Sequence, residues 1–295
     1  MNDCRVIVVT GTNRGVGRGI VQLLAKQQLQ QPLTIYATSR SGIDSNVETT
    51  TPNTVVYRKL DVTSEVSIQS FFDSTLKAHA AIDVLINNAA VCHDFHETPE
   101  LATETIRTNY GGTRDMCKAF LLQSTLPPDS RIVNVVSGHN HLQAYGADLQ
   151  TAFHSAESIN ALDDLANIYA DCIRRGQKAQ EQAGWGSGAR SYKVSKALTN
   201  TLTIVLARQY PDVLVNCCCP GWVDTDMGNQ ASGKPPKTLE EGARIPTRLA
   251  IGDLGPSGDE EGRLGGESER ISGYFYENDN IVQPGWGIPK LWLES

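Results

Sequence analysis

Tyr192 and Lys196 stand four residues apart in Ser191-Tyr192-Lys193-Val194-Ser195-Lys196. That spacing stacks two side chains on one face of a helix, so a phenol and an ammonium project into one site. A lone tyrosine exchanges protons poorly near neutrality, because its ordinary pKa is near 10. A neighbouring cation favours the phenolate and lowers that value. The pair therefore describes a tunable acid–base group. Two solvated polar residues on a surface helix would show the same spacing, so the pair acquires meaning only from what accompanies it.

The elements that would position such a pair begin at the N-terminus. Arg5-Val6-Ile7-Val8-Val9 is a short β-branched run of buried-strand type. Thr10-Gly11-Thr12-Asn13-Arg14-Gly15-Val16-Gly17 follows at once, and Val16, Ile20, Leu23 and Leu24 then share one helical face. A strand, a Gly-rich turn and a helix N-terminus together cradle a pyrophosphate. The glycines let the backbone approach, and free N–H groups meet the charge. The spacing is Gly-x-x-x-Gly-x-Gly rather than Gly-x-Gly-x-x-Gly. Gly11, Asn13, Arg14, Gly15, Val16 and Gly17 are the expected cofactor-binding residues here. A plain Gly-rich turn is the bland alternative.

Further along come Asn87-Asn88-Ala89-Ala90, Ser137, the Tyr192/Lys196 pair and Pro220-Gly221-x-x-x-Thr225. In that order, and over roughly residues 5 to 285, these motifs resemble the short-chain dehydrogenase/reductase family. Thr108-Asn109-Tyr110-Gly111-Gly112-Thr113-Arg114-Asp115, Gly184-Trp185 and Cys218-Cys219-Pro220-Gly221-Trp222-Val223 resemble its monomeric NADPH-dependent carbonyl reductases. Hydride transfer to a carbonyl makes negative charge on oxygen, and a proton donor must meet it. Tyr192 is the expected acid for reduction and base for oxidation, with the Ser137 hydroxyl fixing the substrate oxygen. The resemblance implies that Lys196 also bonds the nicotinamide ribose. It further implies that Asn109 bends its helix and holds a water beside the lysine. Asp61-Val62 would contact adenine, and Asn87 and Ala89 would form the adenosine-ribose and sheet-bracing loop. Val223 and Thr225 would hold carboxamide and pyrophosphate, with Pro220 and Gly221 also counted among the cofactor-binding residues.

Two arginines bear on cofactor choice. Arg14 lies inside the Gly-rich turn, and Arg40 follows the second strand, where an NAD enzyme carries an acid for the ribose 2′-OH. The nearest acid here is Asp44. Arginine pairs bidentately with phosphate, so NADPH is the expected cofactor. Solvated surface arginines are the alternative. Substrate contacts are expected from Ser137, Tyr192, His139 and Trp222, the last as an apolar wall suited to ketones, aldehydes or quinones.

Charged residues make up 20% and hydrophobic residues 40%, the balance of an ordinary globule. A net charge of −7 without a basic cluster argues against nucleic acid and anionic membranes as partners. No run has the length of a transmembrane helix, and with a strand expected from residue 5 no signal peptide is expected. The seven cysteines contain no Cys-x-x-Cys pair, which fits reduced thiols and a cytoplasmic protein. Cys217-Cys218-Cys219 on a strand would alternate between faces. The histidines lack a zinc-binding helical pattern, so no metal is expected.

Apolar β-type runs at 6–9, 33–37, 55–60, 84–86, 132–136, 213–217 and 273–276 alternate with helical patterns near 15–28, 65–79, 100–122, 190–209 and 238–250. Alternation predicts an α/β fold, a Rossmann-like doubly wound sheet of seven parallel strands in one domain, 1–295. The family order would be 3-2-1-4-5-6-7. Residues 252–270 read as a solvated loop. The stretch from Ser137 to Tyr192 is much longer than the family pattern. Within it Ile159, Leu162, Leu165, Ile168, Tyr169, Cys172 and Ile173 follow helical spacing. Residues 141–188 are therefore expected to form an inserted segment with an amphipathic helix over 157–182, and the chain to be a monomer. The leading function is reduction of a small-molecule carbonyl. A reductase specific for one secondary-metabolite ketone, or a non-catalytic NADP(H) sensor, stands beside it.

Overall fold

The computed structural model describes residues 4–138, 140–255, 270–278 and 280–294. The chain begins with β1 (Arg5–Thr10), α1 (Gly15–Ala25), β2 (Leu33–Ser39), β3 (Thr54–Lys59), α2 (Glu65–Ala78) and β4 (Val84–Asn87). Next come α3 (Pro99–Ile106), α4 (Gly112–Leu121) and β5 (Arg131–Val135), then α5 (Ala147–Ser155), α6 (Ile159–Arg175) and α7 (Gln177–Gln182). The remainder is α8 (Ser191–Gln209), β6 (Leu214–Cys218), α9 (Leu239–Ile251), β7 (Phe275–Glu277) and β8 (Ile288–Lys290).

The strands form one sheet in the order β3-β2-β1-β4-β5-β6-β7-β8. The first seven pair in parallel, as the alternation predicts, and β8 adds an antiparallel edge to β7. Its three residues include Pro289, which weakens any strand reading but is tolerated at an edge. Strand periodicity divides the core. Val6, Val8, Leu85 and Cys217 pack with Phe71, Phe120 and Leu202 on one face. Ile7, Val9, Ile86 and Cys218 pack with Ile20, Leu24 and Leu249 on the other. The adjacent Cys217 and Cys218 thus enter opposite layers.

Two expected helices are subdivided. The pattern near 100–122 is interrupted by a π-helical turn over Arg107–Gly111, between α3 and α4. The inserted segment holds three helices, not one over 157–182. Ser158 caps α6 by accepting from the Ala161 N–H, and Gly176, at φ 91°, ends it before α7. Leu162, Leu165, Tyr169 and Cys172 are buried. Ile159 and Ile173 pack at the margin, while Ile168 is 48% exposed. The buried stripe of α6 lies on α3 and α8. Tyr145, Phe153, Tyr169 and Trp185 join the segment through edge-to-face and tilted ring contacts. Most of the loop expected over 252–270 lies outside the described residues.

Candidate active site

Strand order reverses at β1, whose neighbours β2 and β4 lead to opposite halves of the sheet. A crevice opens there beyond the carboxyl ends of the strands. It is a cleft of about 1170 Å³, lined from Gly11 and Arg40 at one end to Tyr192, Lys196 and Pro220 at the other.

The Gly-rich turn forms its floor. Gly11 has φ +69°, and a Cβ there would lie 2.8 Å from the Ala89 backbone. At Gly17 a Cβ would collide with the Gly11 carbonyl and the Asn88 amide. The close approach of turn, helix and β4 therefore requires both glycines. α1 starts at Gly15, with no capping side-chain bond at Arg14 and no acid in its first turn. That N-terminus, beside Gly11, Asn13, Gly15 and Val16, fits an anionic pyrophosphate.

Arg40 is exposed at the cleft immediately after β2. Asp61 lies opposite, its carboxyl held below the ordinary value by the Thr63 backbone N–H, with Arg40 and Arg107 adding to the effect. Arg107, which no local pattern singles out, lines this end too and bonds Thr63 Oγ1 at 3.0 Å. Val62 completes this wall. Arg14 is engaged differently, bridging the cleft mouth to Asp226 at 2.7 Å.

Tyr192 and Lys196 lie on one face of α8 and both line the cleft. The Lys196 ammonium donates to the Val135 carbonyl at 2.9 Å and sits 5.4 Å from the Tyr192 ring centre. Burial lowers Lys196 to about 8. Burial also raises the Tyr192 phenol well above its ordinary value, and the nearby Cys92, Cys219 and Asp94 reinforce this. The lysine-driven lowering of Tyr192 anticipated from spacing is thus outweighed in this cleft by desolvation. Asn109 lies in the π turn. Its amide donates to the Val91 carbonyl (2.9 Å) and Ser195 Oγ (3.0 Å) and accepts from the Val91 N–H (2.9 Å). Ser137, two residues beyond β5, adjoins the cleft-lining Val136 without being among the lining residues itself.

Of the remaining expected residues, Ala89, Pro220 and Thr225 line the cleft, while Gly17, Gly221 and Val223 are not among its lining residues. Val223 is buried and bridges Lys237. Asn87 is corrected in part: it does not line the cleft, and instead braces β4 to β5 from within the core, donating to Asn134 (2.9 Å) and Cys117 (3.3 Å). The adjacent Asn88 instead faces the turn, donating to Thr10 O (2.9 Å) and Gly11 O (3.1 Å). Strand alternation separates these neighbours. Trp222 is also corrected. Its indole donates to the Gly228 carbonyl at 2.9 Å within its own loop and does not line the cleft. His139 lies outside the described residues.

Residues 5–149 match the model of the short chain dehydrogenase family. The chain is 33% identical over 292 residues to Short-chain dehydrogenase/reductase 1 of Saponaria officinalis, spanning 86% of this chain and 92% of that relative. It is 31% identical over 308 residues to Carbonyl reductase (NADPH) 1 of Sus scrofa, spanning 98% and 96%. The solved structure of salutaridine reductase from Papaver somniferum aligns with a TM-score of 0.72 at 27% identity, covering 93% of this chain and 100% of that one. The chain belongs to the short-chain dehydrogenase/reductase family.

Proposed function

We propose that this chain is an NADPH-dependent oxidoreductase that reduces a small-molecule ketone, aldehyde or quinone to the alcohol. The observation that carries the reading is the shared face of Tyr192 and Lys196, turned into the same cleft as the glycine turn and Arg40. Likeness to relatives named as NADPH carbonyl reductases supports it. The open N-terminus of α1 would hold the pyrophosphate, and Arg40 would pair with the 2′-phosphate. Bound NADPH would supply the hydride.

The chain supplies the proton and the alignment. Burial keeps the Tyr192 phenol protonated, so it can donate to oxygen as negative charge develops there. Lys196 is fixed by the Val135 carbonyl beside the tyrosine ring, where its charge stabilises the phenolate left behind. Ser137 would orient the carbonyl oxygen from the end of β5. Val91, Cys92, Val136 and Met227 line the cleft and would suit an apolar flank on the substrate. Among the described residues no helix is long and apolar enough to cross a membrane, and the free cysteines suit a cytoplasmic setting.

A reductase for one specialised ketone is the second reading, favoured by the likeness to salutaridine reductase. A non-catalytic sensor would not need Asn109, Ser137, Tyr192 and Lys196 together. Following NADPH absorbance across a panel of carbonyl compounds separates broad from narrow specificity. In the same assay Tyr192→Phe should lose most turnover while still binding NADPH. Near-normal reduction by that variant would sink the mechanism.

A further inference from the structure

The helix carrying Tyr192 has no cap of its own. Arg190 stands at its N-cap without a capping side-chain bond, and an α-helix leaves its first N–H groups unpaired. Two carboxylates from the loop between β4 and α3 take them. Asp94 Oδ1 accepts from the backbone N–H of Tyr192 at 3.0 Å and from Ser191 Oγ at 3.2 Å. Glu97 accepts from the Ser191 N–H through Oε2 at 3.0 Å and from the Arg190 N–H through Oε1 at 3.4 Å. Three consecutive donors, ending at the tyrosine itself, are held from nearly a hundred residues away in the chain.

The same loop is fixed at its start. Asn109 grips both backbone groups of Val91 and bonds Ser195 Oγ, which in turn donates to the Tyr192 carbonyl at 2.7 Å. Val91, Asn109, Ser195, Tyr192 and Asp94 thereby form a chain of hydrogen bonds whose two ends are joined by the backbone from Val91 to Asp94. Between its ends, Val91, Cys92 and His93 line the cleft. A loop tied at one end to the π turn and at the other to Tyr192 couples the cleft wall to the tyrosine's position. Carboxylates at a helix N-terminus also complement its positive end.

We propose that Asp94 and Glu97 are positioning residues, clamping the first turn of α8 so that the Tyr192 hydroxyl is aligned with the reacting oxygen. The proposal rests on the catalytic reading of Tyr192. Displacement of about 1 Å in such a site can cost on the order of a hundredfold in rate. Asp94 has a second effect, because its negative charge opposes the phenolate. Other groups facing this corner are Cys92 and Glu97 of the same loop, Tyr145 and Tyr169 of the inserted segment, Arg190 and Lys196 flanking Tyr192 along the chain, and Cys219 after β6.

The test compares D94A, E97A, D94N and E97Q with wild type. D94A should lower kcat for carbonyl reduction about tenfold to a hundredfold, with the Kd for NADPH unchanged. Amide exchange at residues 190–192 should quicken in D94A and E97A. D94N keeps an acceptor for the Tyr192 N–H and should recover most of kcat at neutral pH. The neutral amide is a weaker acceptor at the positive end of a helix, so exchange at residues 190–192 should still quicken, by less than in D94A. Wild-type kcat and exchange in both alanine variants would overturn the proposal. Should those variants fail to fold, wild-type exchange at residues 190–192 in both D94N and E97Q would do the same. An inactive Tyr192→Phe beside normal D94A and E97A would refute the clamp alone. An active Tyr192→Phe would refute the catalytic reading beneath it.

Discussion

Replacing Lys196 by methionine should make the protein more stable and inactive. The lysine is 4% exposed, and burial lowers its pKa from 10.5 to about 8. Each pKa step is worth about 1.4 kcal/mol, so keeping this group charged costs the folded state about 3 kcal/mol at neutral pH. Methionine matches the length of the stem and carries no charge. It also removes the donor to the Val135 carbonyl, a loss of about 1 kcal/mol. The net expectation is a gain of about 2 kcal/mol. A folded pKa below the unfolded one means that the unfolded chain holds the proton more tightly. The cost is therefore fully present below about pH 8 and fades as pH rises toward 10.5. Urea denaturation of cofactor-free protein should show the variant ahead at pH 7 and the gap closing by pH 10. A variant less stable at pH 7, or a gap independent of pH, would refute the reasoning. NADPH affinity and carbonyl reduction should both be lost, since Lys196 is retained for the site and not for the fold.

NADPH should be preferred over NADH by at least about tenfold in kcat/KM, or about 1.4 kcal/mol. Arg40→Asp should narrow or reverse that preference, whereas Arg14→Ala should matter less because Asp226 already engages Arg14; equal kcat/KM for the two cofactors would show that neither arginine reads the phosphate. Sedimentation at micromolar concentration should give one chain, 32.1 kDa, because α6 covers the outer faces of α3 and α8. Deleting 145–183 should expose apolar surface and promote association, and a stable dimer of the intact chain would show that this surface remains open.

The chain's local periodicities are enough to place most of the framework. Strand runs from Val6 to Cys217 alternate with amphipathic helices, so the parallel sheet and its two covered faces follow from burial alone. The turn from Gly11 to Gly17 is legible because strand, glycines and helix are contiguous. Tyr192 and Lys196 are legible because one helical turn joins them. Each of these signals lies within a few residues, where spacing fixes direction.

What tertiary structure decided lies between residues far apart in the chain. Asn88 rather than Asn87 braces the glycine turn, because the pleat at the end of β4 turns adjacent side chains to opposite faces. Arg14 meets Asp226, and Trp222 folds onto its own loop, because the segment after β6 crosses the cleft mouth. Tyr192 is held protonated by burial, a property of everything packed around it and not of the lysine four positions on. The carboxylates that cap its helix come from Asp94 and Glu97, and no period in the sequence records that meeting. Spacing along a chain specifies which way a side chain points within its own element; which partner it finds there depends on how the elements pack.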